Sequence, residues 1–440
     1  MRPGDHRLPA RLLVLLFAHI AIADPSHCYE EAHETWSPKG GVSAGMTHCF
    51  QRIVETLEKQ GDPYLLIDPP LEGIERVPVS TGYDGLLPTV QWNVSVSHAD
   101  LRNMTPSWHH WSYQFNRAEW LLPRGYKQTP NESRVVFIHG GNAGDSSVGP
   151  YYAGMTTRIA NITGLPVFAF DYAQEPITPW PQNIRQVLFY LGHALHNGPF
   201  GAGDASRIVL VADSEGTLVA TQTIIALRDP TLHLLLGYSH LFPPSTEEYI
   251  GGVVLSSPVI DVTCRTPSFA TNCFNFSDPR AHLPGGAGDP DTGNCSLTPT
   301  IAARRDDCLW SYLEYFFGLE GVLAGAPRPR GTATKEVDKR AAFFAQPTLS
   351  PLAYQLSGFP PLLLIAGARD FFYADGPSLH ERACKHGVDV SSFNVAGAYH
   401  DFIEYSEGCG GPHPNVEALE AYVRLGEFVT RVTASKTVDT

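Results

Sequence analysis

Six short apolar runs, each closed by glycine, aspartate, serine or a polar break, set the tightest limit on what this chain can fold into. They are "VVFIHGG" (135–141), "LPVFAFDY" (165–172), "RIVLVADS" (207–214), "IGGVVLSSPVI" (250–260), "PLLLIAGARD" (361–370) and "DVSSFNVAG" (389–397). Most are rich in β-branched or aromatic residues and apolar on both faces, the pattern of strands with no solvent side. Between them lie "PQNIRQVLFYLGHAL" (181–195) and "GTLVATQTIIALRD" (216–229), whose apolar residues recur three and four apart, as amphipathic crossover helices require. Strands buried on both faces need helices on both sides, so the sequence predicts an α/β class with a mostly parallel central sheet. A chain of 440 residues that is 43% hydrophobic has ample material for that core.

Two segments break the rhythm. Residues 24 to about 90 are irregular apart from the amphipathic "MTHCFQRIVETLEKQ", and residues 262–345 hold four cysteines, the stretch "LPGGAGDPDTGN" and the aromatic "DDCLWSYLEYFFGLEG". The second reads as an insertion that leaves the sheet and returns to it.

The N-terminus places Arg2, Arg7 and Arg11 before "LLVLLFAHIAIA", with Ala21 and Ala23 in an A-x-A arrangement. This is the layout of a secretory signal peptide over residues 1–23, leaving 24–440 as the mature chain. Export also fits an even set of cysteines at 28, 49, 264, 273, 295, 308, 384 and 409, and sequons at Asn93, Asn103, Asn131, Asn161, Asn275 and Asn294. Cysteines close in sequence can meet without rearranging a sheet. The expected bridges are therefore Cys28 with Cys49, pairs among Cys264, Cys273, Cys295 and Cys308, and Cys384 with Cys409. The spacings contain no C-x-x-C and so argue against a zinc site. A net charge of −14 argues against nucleic acid and anionic membrane surfaces as partners. After the leader no stretch is long and apolar enough for stable membrane insertion.

The chemistry starts at "VADSEG". Ser214 ends an apolar strand and Gly216 opens the next helix, so the serine sits on a tight strand-to-helix turn with its hydroxyl exposed and small residues two before and two after. A serine hydroxyl needs a base, and the base needs an acid to fix its tautomer. Asp370 closes "PLLLIAGARD", His400 follows "DVSSFNVAG" in "AYHDF", and Asp375 is a rival acid five residues after Asp370. An ester passing through a tetrahedral oxyanion needs fixed N–H donors, which glycines after an early strand supply. "HGGN" occupies that place, so Gly140, Gly141 and Asn142, with the amide of Glu215 after the nucleophile, are the candidate oxyanion hole. His139 also fits a structural role beside a glycine turn.

These motifs resemble the hormone-sensitive lipase group of α/β-hydrolases, which includes arylacetamide deacetylase and many bacterial carboxylesterases. "FIHGGN" is similar to the family's H-G-G-G, and "DYAQEPITPWPQ" to its D-Y-R-x-A-P-E-x-P-F-P, with Asp171, Tyr172, Pro176, Pro179 and Pro181 in place. "ADSEG" resembles G-D-S-A-G, "SSPVIDVT" S-P-x-x-D-x-T, and "LSPLAYQLSGFPPLLLIAGARD" the segment leading to the family's acid. "YHDF" stands where the family has H-G-F. Ala212, Asn142 and Glu215 depart from the family's glycine, third glycine and small neutral residue. The resemblance implies an α/β-hydrolase fold and a serine carboxylesterase with Ser214 as nucleophile, His400 as base and Asp370 as its orienting acid; the leader makes it a secreted one. Such chemistry requires no cofactor or metal, and its partner is a small-molecule ester with an apolar acyl or aryl group. The family further implies a cap contributed by residues 24–90 and 262–345. Two other functions share these motifs: a ligand-binding protein without turnover, and an amidase or peptidase with the same three residues.

Overall fold

A computed structural model describes residues 25–60, 66–79, 118–141, 151–172, 180–236, 238–263, 265–266, 268, 345, 347 and 349–434. The leader, the sequons other than Asn131 and Asn161, the four cysteines between 264 and 308, and Asn142 lie outside these residues.

The strands of the main sheet are β1 (Thr35–Trp36), β2 (Glu75–Val79), β3 (Ala118–Leu122), β4 (Ser133–Ile138), β5 (Val167–Phe170), β6 (Arg207–Asp213), β7 (Ile250–Ser256), β8 (Leu362–Gly367) and β9 (Val390–Val395). Their spatial order is β1-β9-β8-β7-β6-β4-β5-β3-β2. Pairings from β1 to β5 across the centre are parallel, and β3 runs antiparallel to both β5 and β2. All six apolar runs contain strands of this sheet, and the architecture is the predicted α/β class.

Side chains sort by strand parity. Along β6, Ile208, Leu210 and Ala212 join one core while Val209 and Val211 join the other; on β4, Val136 and Ile138 oppose Val135 and Phe137 in the same way. The first core is covered by α4 (Gln182–His196), α5 (Gly216–Arg228) and the short α6 (Pro230–Leu236), through residues such as Val187, Leu191, Leu218 and Leu236. The second is covered by α2 (Ala44–Gln60), α3 (Ala153–Thr163) and α8 (Val416–Thr433), through Ile53, Ile159 and Leu425. Each such aliphatic side chain contributes about 1.5–3 kcal/mol by leaving water, so the centre of the sheet is a firmly packed platform. No helix among the described residues is long and apolar enough to cross a membrane.

Within residues 24–90, assigned to a cap by the sequence, β1 and β2 are strands of this sheet. The first helix, α1 (Pro25–His33), packs on α7 (Asp375–Lys385). The disulfides correct the expected pairing. Cys28 is bonded to Cys384, and Cys49 to Cys409. Nearness in sequence is overridden by docking: α1 and α2 lie against the C-terminal elements, so each N-terminal cysteine meets one more than 350 residues away (separations 356 and 360).

Candidate active site

The central strand β6 delivers Ser214 to its C-terminal end. Ser214 N–H donates to the Ser256 carbonyl at 2.9 Å, and the residue turns into the left-handed region at φ +51° before α5 begins at Gly216. A non-glycine residue with positive φ is strained, and here the strain lifts the hydroxyl off the strand end. The turn is possible because its surroundings lack side chains. A Cβ on Gly216 would lie 2.4 Å from the His139 carbonyl oxygen, and one on Gly140 would lie 2.6 Å from the Ser214 Cβ.

Ser214 Oγ lies 2.8 Å from His400 Nε2. The imidazole's other nitrogen, Nδ1, lies 2.7 Å from Asp370 Oδ2. Asp370 follows β8 on a tight turn, and its second oxygen accepts the Phe372 N–H at 2.8 Å, so the carboxylate is fixed at both oxygens. His400 follows β9, and the turns after β8 and β9 are locked together by the Arg369 N–H to Ala398 carbonyl bond of 2.9 Å. Three strand ends thus bring together residues 214, 370 and 400, and the Asp370 bond selects the tautomer with a proton on Nδ1 and an acceptor at Nε2. Burial alone would lower the His400 pKa; the carboxylates of Asp370 and then Asp401 outweigh it and push the imidazole up to about 10.

The rival acid is elsewhere. Asp375 is fully buried and accepts the N–H groups of Ile260 and Asp261, each at 2.7 Å, and the Thr266 hydroxyl at 2.7 Å. It fastens the chain leaving β7 to the start of α7. Burial, and then the neighbouring Asp261, push its carboxyl up to about 8.

His139 answers why an apolar strand ends in histidine. Its ring is buried, its Nδ1 lies 2.6 Å from the Gly140 carbonyl oxygen, and its own carbonyl accepts the Tyr172 hydroxyl at 2.7 Å. Burial lowers its pKa to about 4, so the ring is a neutral brace for the glycine turn. Gly140 N–H donates to the Tyr152 hydroxyl at 3.1 Å, so this residue supplies close approach, which differs from its expected place in the oxyanion hole. Gly141 follows at φ +134°, and Glu215 occupies the N-cap of α5.

Sequence reasoning missed Tyr152, and it missed Asp401, whose Oδ1 lies 3.3 Å from His400 Nε2. The signal for Asp401 was in "YHDF", where aspartate follows the histidine. Among the described residues one group has metal-ligand spacing, Glu31, His380 and Cys384, and the Cys384 sulfur is consumed by its bond to Cys28.

Known proteins place these features. The sequence pattern of the family described as "alpha/beta hydrolase fold" matches residues 135–285 and 333–404, just over half of the chain. An acetyl-hydrolase of Streptomyces hygroscopicus is 22% identical over 308 residues, covering 70% of this chain and 79% of that protein. Among solved structures, an esterase/lipase from an uncultured bacterium superposes with a TM-score of 0.55 at 16% identity, covering 89% of this chain and all of the other. An esterase from the bacterial hormone-sensitive lipase family superposes at 0.53 with 20% identity, covering 93% and 97%. At these identities the superpositions establish a shared fold, in keeping with the resemblance that the motifs carry. The chain belongs to the α/β-hydrolase fold family.

Proposed function

We propose that the chain is a secreted serine carboxylesterase acting on small esters with apolar acyl or aryl groups. The observation that carries this reading is the unbroken chain from Ser214 Oγ through His400 to Asp370, with links of 2.8 and 2.7 Å. Ser214 Oγ attacks the ester carbonyl while its proton passes to His400 Nε2, and Asp370 stabilises the imidazolium that forms. The carbonyl oxygen becomes an oxyanion held by the amides of Gly141, Asn142 and Glu215. Collapse expels the alcohol, which takes the proton from His400 and leaves an acyl-enzyme on Ser214. Water, deprotonated by His400, then releases the carboxylic acid and restores the serine.

A cap built from residues 262–345, with part of 24–90, would cover this pocket, and its aromatic residues suit an apolar acyl or aryl group. Export as a glycoprotein rests on the leader and on the sequons. Asn131 and Asn161 are exposed, which suits glycosylation. The disulfides of Cys28 and Cys49 suit an oxidising compartment.

The test is turnover of p-nitrophenyl esters of rising chain length by the secreted protein, with an anilide control and labelling by an organophosphonate. Ester cleavage together with covalent label on Ser214 is the expected result. Folded protein that cleaves neither ester nor anilide and resists the phosphonate would overturn the enzyme reading in favour of ligand binding alone.

A further inference from the structure

The residue after His400 is an aspartate held in a glycine-like conformation. Asp401 has φ +56°, and its N–H donates at 2.9 Å to the hydroxyl of Ser257, itself at φ +45°. With Ser214, three of the five left-handed non-glycine residues among those described therefore lie around the imidazole. Backbone strain of this kind persists where the surroundings hold it in place, and here it fixes the position of a carboxyl. Asp401 Oδ1 lies 3.3 Å from His400 Nε2, the nitrogen that also meets Ser214.

The groups facing this carboxyl are mostly acids. Asp213, at the end of β6, is fully buried and near enough to Asp401 for the two carboxyls to repel each other. Glu404, on the turn Phe402–Tyr405, is buried close enough to feel both, and Asp370 faces the far side of the ring. Asp68 lies further along the same buried row, engaged by Arg158 at 3.4 Å and by the backbone and hydroxyl of Ser406; the Tyr399 and Tyr422 phenols stand beside it. Burial, and for Asp213 next the neighbouring Asp401, hold the Asp213 and Asp401 carboxyls above their usual range.

We infer that Asp401 is a second carboxylate partner of His400, on the side facing the nucleophile, and that its charge beside Nε2 sets the pH at which His400 becomes a base. The inference rests on the reading of Ser214 as nucleophile. It makes Asp401 a positioning residue that acts through His400. A negative charge beside Nε2 favours imidazolium, so the neutral base appears only at higher pH. Removing the charge must move that threshold down.

The experiment measures the rate at which a fluorophosphonate labels Ser214 in the full-length protein from pH 5 to 10, by intact mass and peptide mapping. The reaction forms a bond from Ser214 Oγ to phosphorus and expels fluoride, while the serine proton goes to His400, so its acid limb reports the histidine. Asp401→Gly suits a backbone at φ +56° and removes the charge. Asp401→Asn keeps the size and tolerates the same conformation, and it carries the test if the glycine variant does not fold. The acid limb is expected about one pH unit lower in either variant than in the wild type. An unmoved limb, a limb displaced upward, or a loss of rate equal at every pH would overturn the inference, the last because a merely structural residue gives that pattern. Wild-type protein that takes no label at any pH would instead overturn the nucleophile reading, and this inference with it.

Discussion

Gly140 runs so close beneath Ser214 that a Cβ on the glycine would stand 2.6 Å from the serine Cβ and 2.8 Å from the Asp213 carbonyl oxygen. The glycine turn after β4 and the Ser214 turn after β6 are thus one packed unit, braced by the Tyr152 hydroxyl on the Gly140 N–H and the Tyr172 hydroxyl on the His139 carbonyl. The two obstructing atoms lie close to or within the backbone and cannot swing away. Gly140→Ala is expected to cost about 1–3 kcal/mol in stability through overpacking. By displacing the turn it should slow ester cleavage on the order of a hundredfold. Thermal melting with initial-rate kinetics checks both, and a variant with wild-type turnover would show that the two turns are independent.

A series of four substitutions separates the reacting residues from the structural ones. Ser214→Ala and His400→Ala should each abolish most ester turnover, to similar extents, because the hydroxyl and its base act as a unit. Asp370→Asn leaves His400 in the wrong tautomer and should cost roughly 10³–10⁴-fold. Asp375→Asn should leave the rate within about tenfold while lowering stability by about 1–3 kcal/mol, since it disturbs buried acceptors of Ile260, Asp261 and Thr266. If Asp375→Asn lost more activity than Asp370→Asn at equal folded fraction, the assignment of the acid would be wrong.

The sequence made the centre of this molecule legible and its margins obscure, and the reason is burial. Strands β4 to β8 carry their apolar residues on both faces, so pattern alone locates them. The outermost strands on either side do not. β1 has two residues, β2 is "ERVPV", and β3 is "AEWLL", where Glu119 is partnered by Arg76 of β2 through bonds of 2.6 and 2.9 Å. A charged pair and a proline hide a strand from any hydrophobic pattern. The site follows the same division. Ser214, Asp370 and His400 could be found because each closes a strand or follows one. The choice between Asp370 and Asp375 needed three dimensions, because only there do the amides of Ile260 and Asp261 claim the second carboxylate. The disulfides depend on helix docking, which local spacing does not encode.

The two long-range bridges should differ in consequence. Cys28–Cys384 joins α1 to α7 on the outer part of the fold, whereas Cys49–Cys409 joins α2 to the chain just beyond His400 and the turn Phe402–Tyr405. Peptide mapping without reduction should recover both pairs and neither Cys28–Cys49 nor Cys384–Cys409. Replacing either pair by alanine should cost about 2–4 kcal/mol. Only loss of Cys49–Cys409 should also depress ester turnover, as the segment carrying His400 loses its anchor. Equal activity in the two double variants would count against that coupling.

Stability should fall steadily as pH rises above neutrality. Asp375, near 3.8 when unfolded, is pushed up to about 8 in the folded protein, first by burial and then by Asp261. A carboxyl raised by folding holds its proton more tightly in the native state, so its contribution is greatest at low pH and is lost as pH climbs through about 8. His400 is raised too, because the carboxylates of Asp370 and Asp401 overcome the effect of burial. Its contribution is complete below 6.5 and disappears as pH passes about 10. The buried Asp213, Asp401 and Glu404 carboxyls are also raised, each chiefly by burial, and have the same sign as Asp375. His139 pulls the other way only in acid: lowered to about 4 by burial, it is neutral in both states above pH 7. Each group titrating differently in the two states changes stability by about 1.4 kcal/mol per pH unit. Calorimetry from pH 7 to 9.5 should therefore find a Tm that declines throughout. Asp375→Asn should flatten the part below about pH 8, and His400→Ala the part above it. A Tm that holds level or rises across that range would mean that the buried carboxyls and the imidazole carry the same charge in the folded and unfolded chain.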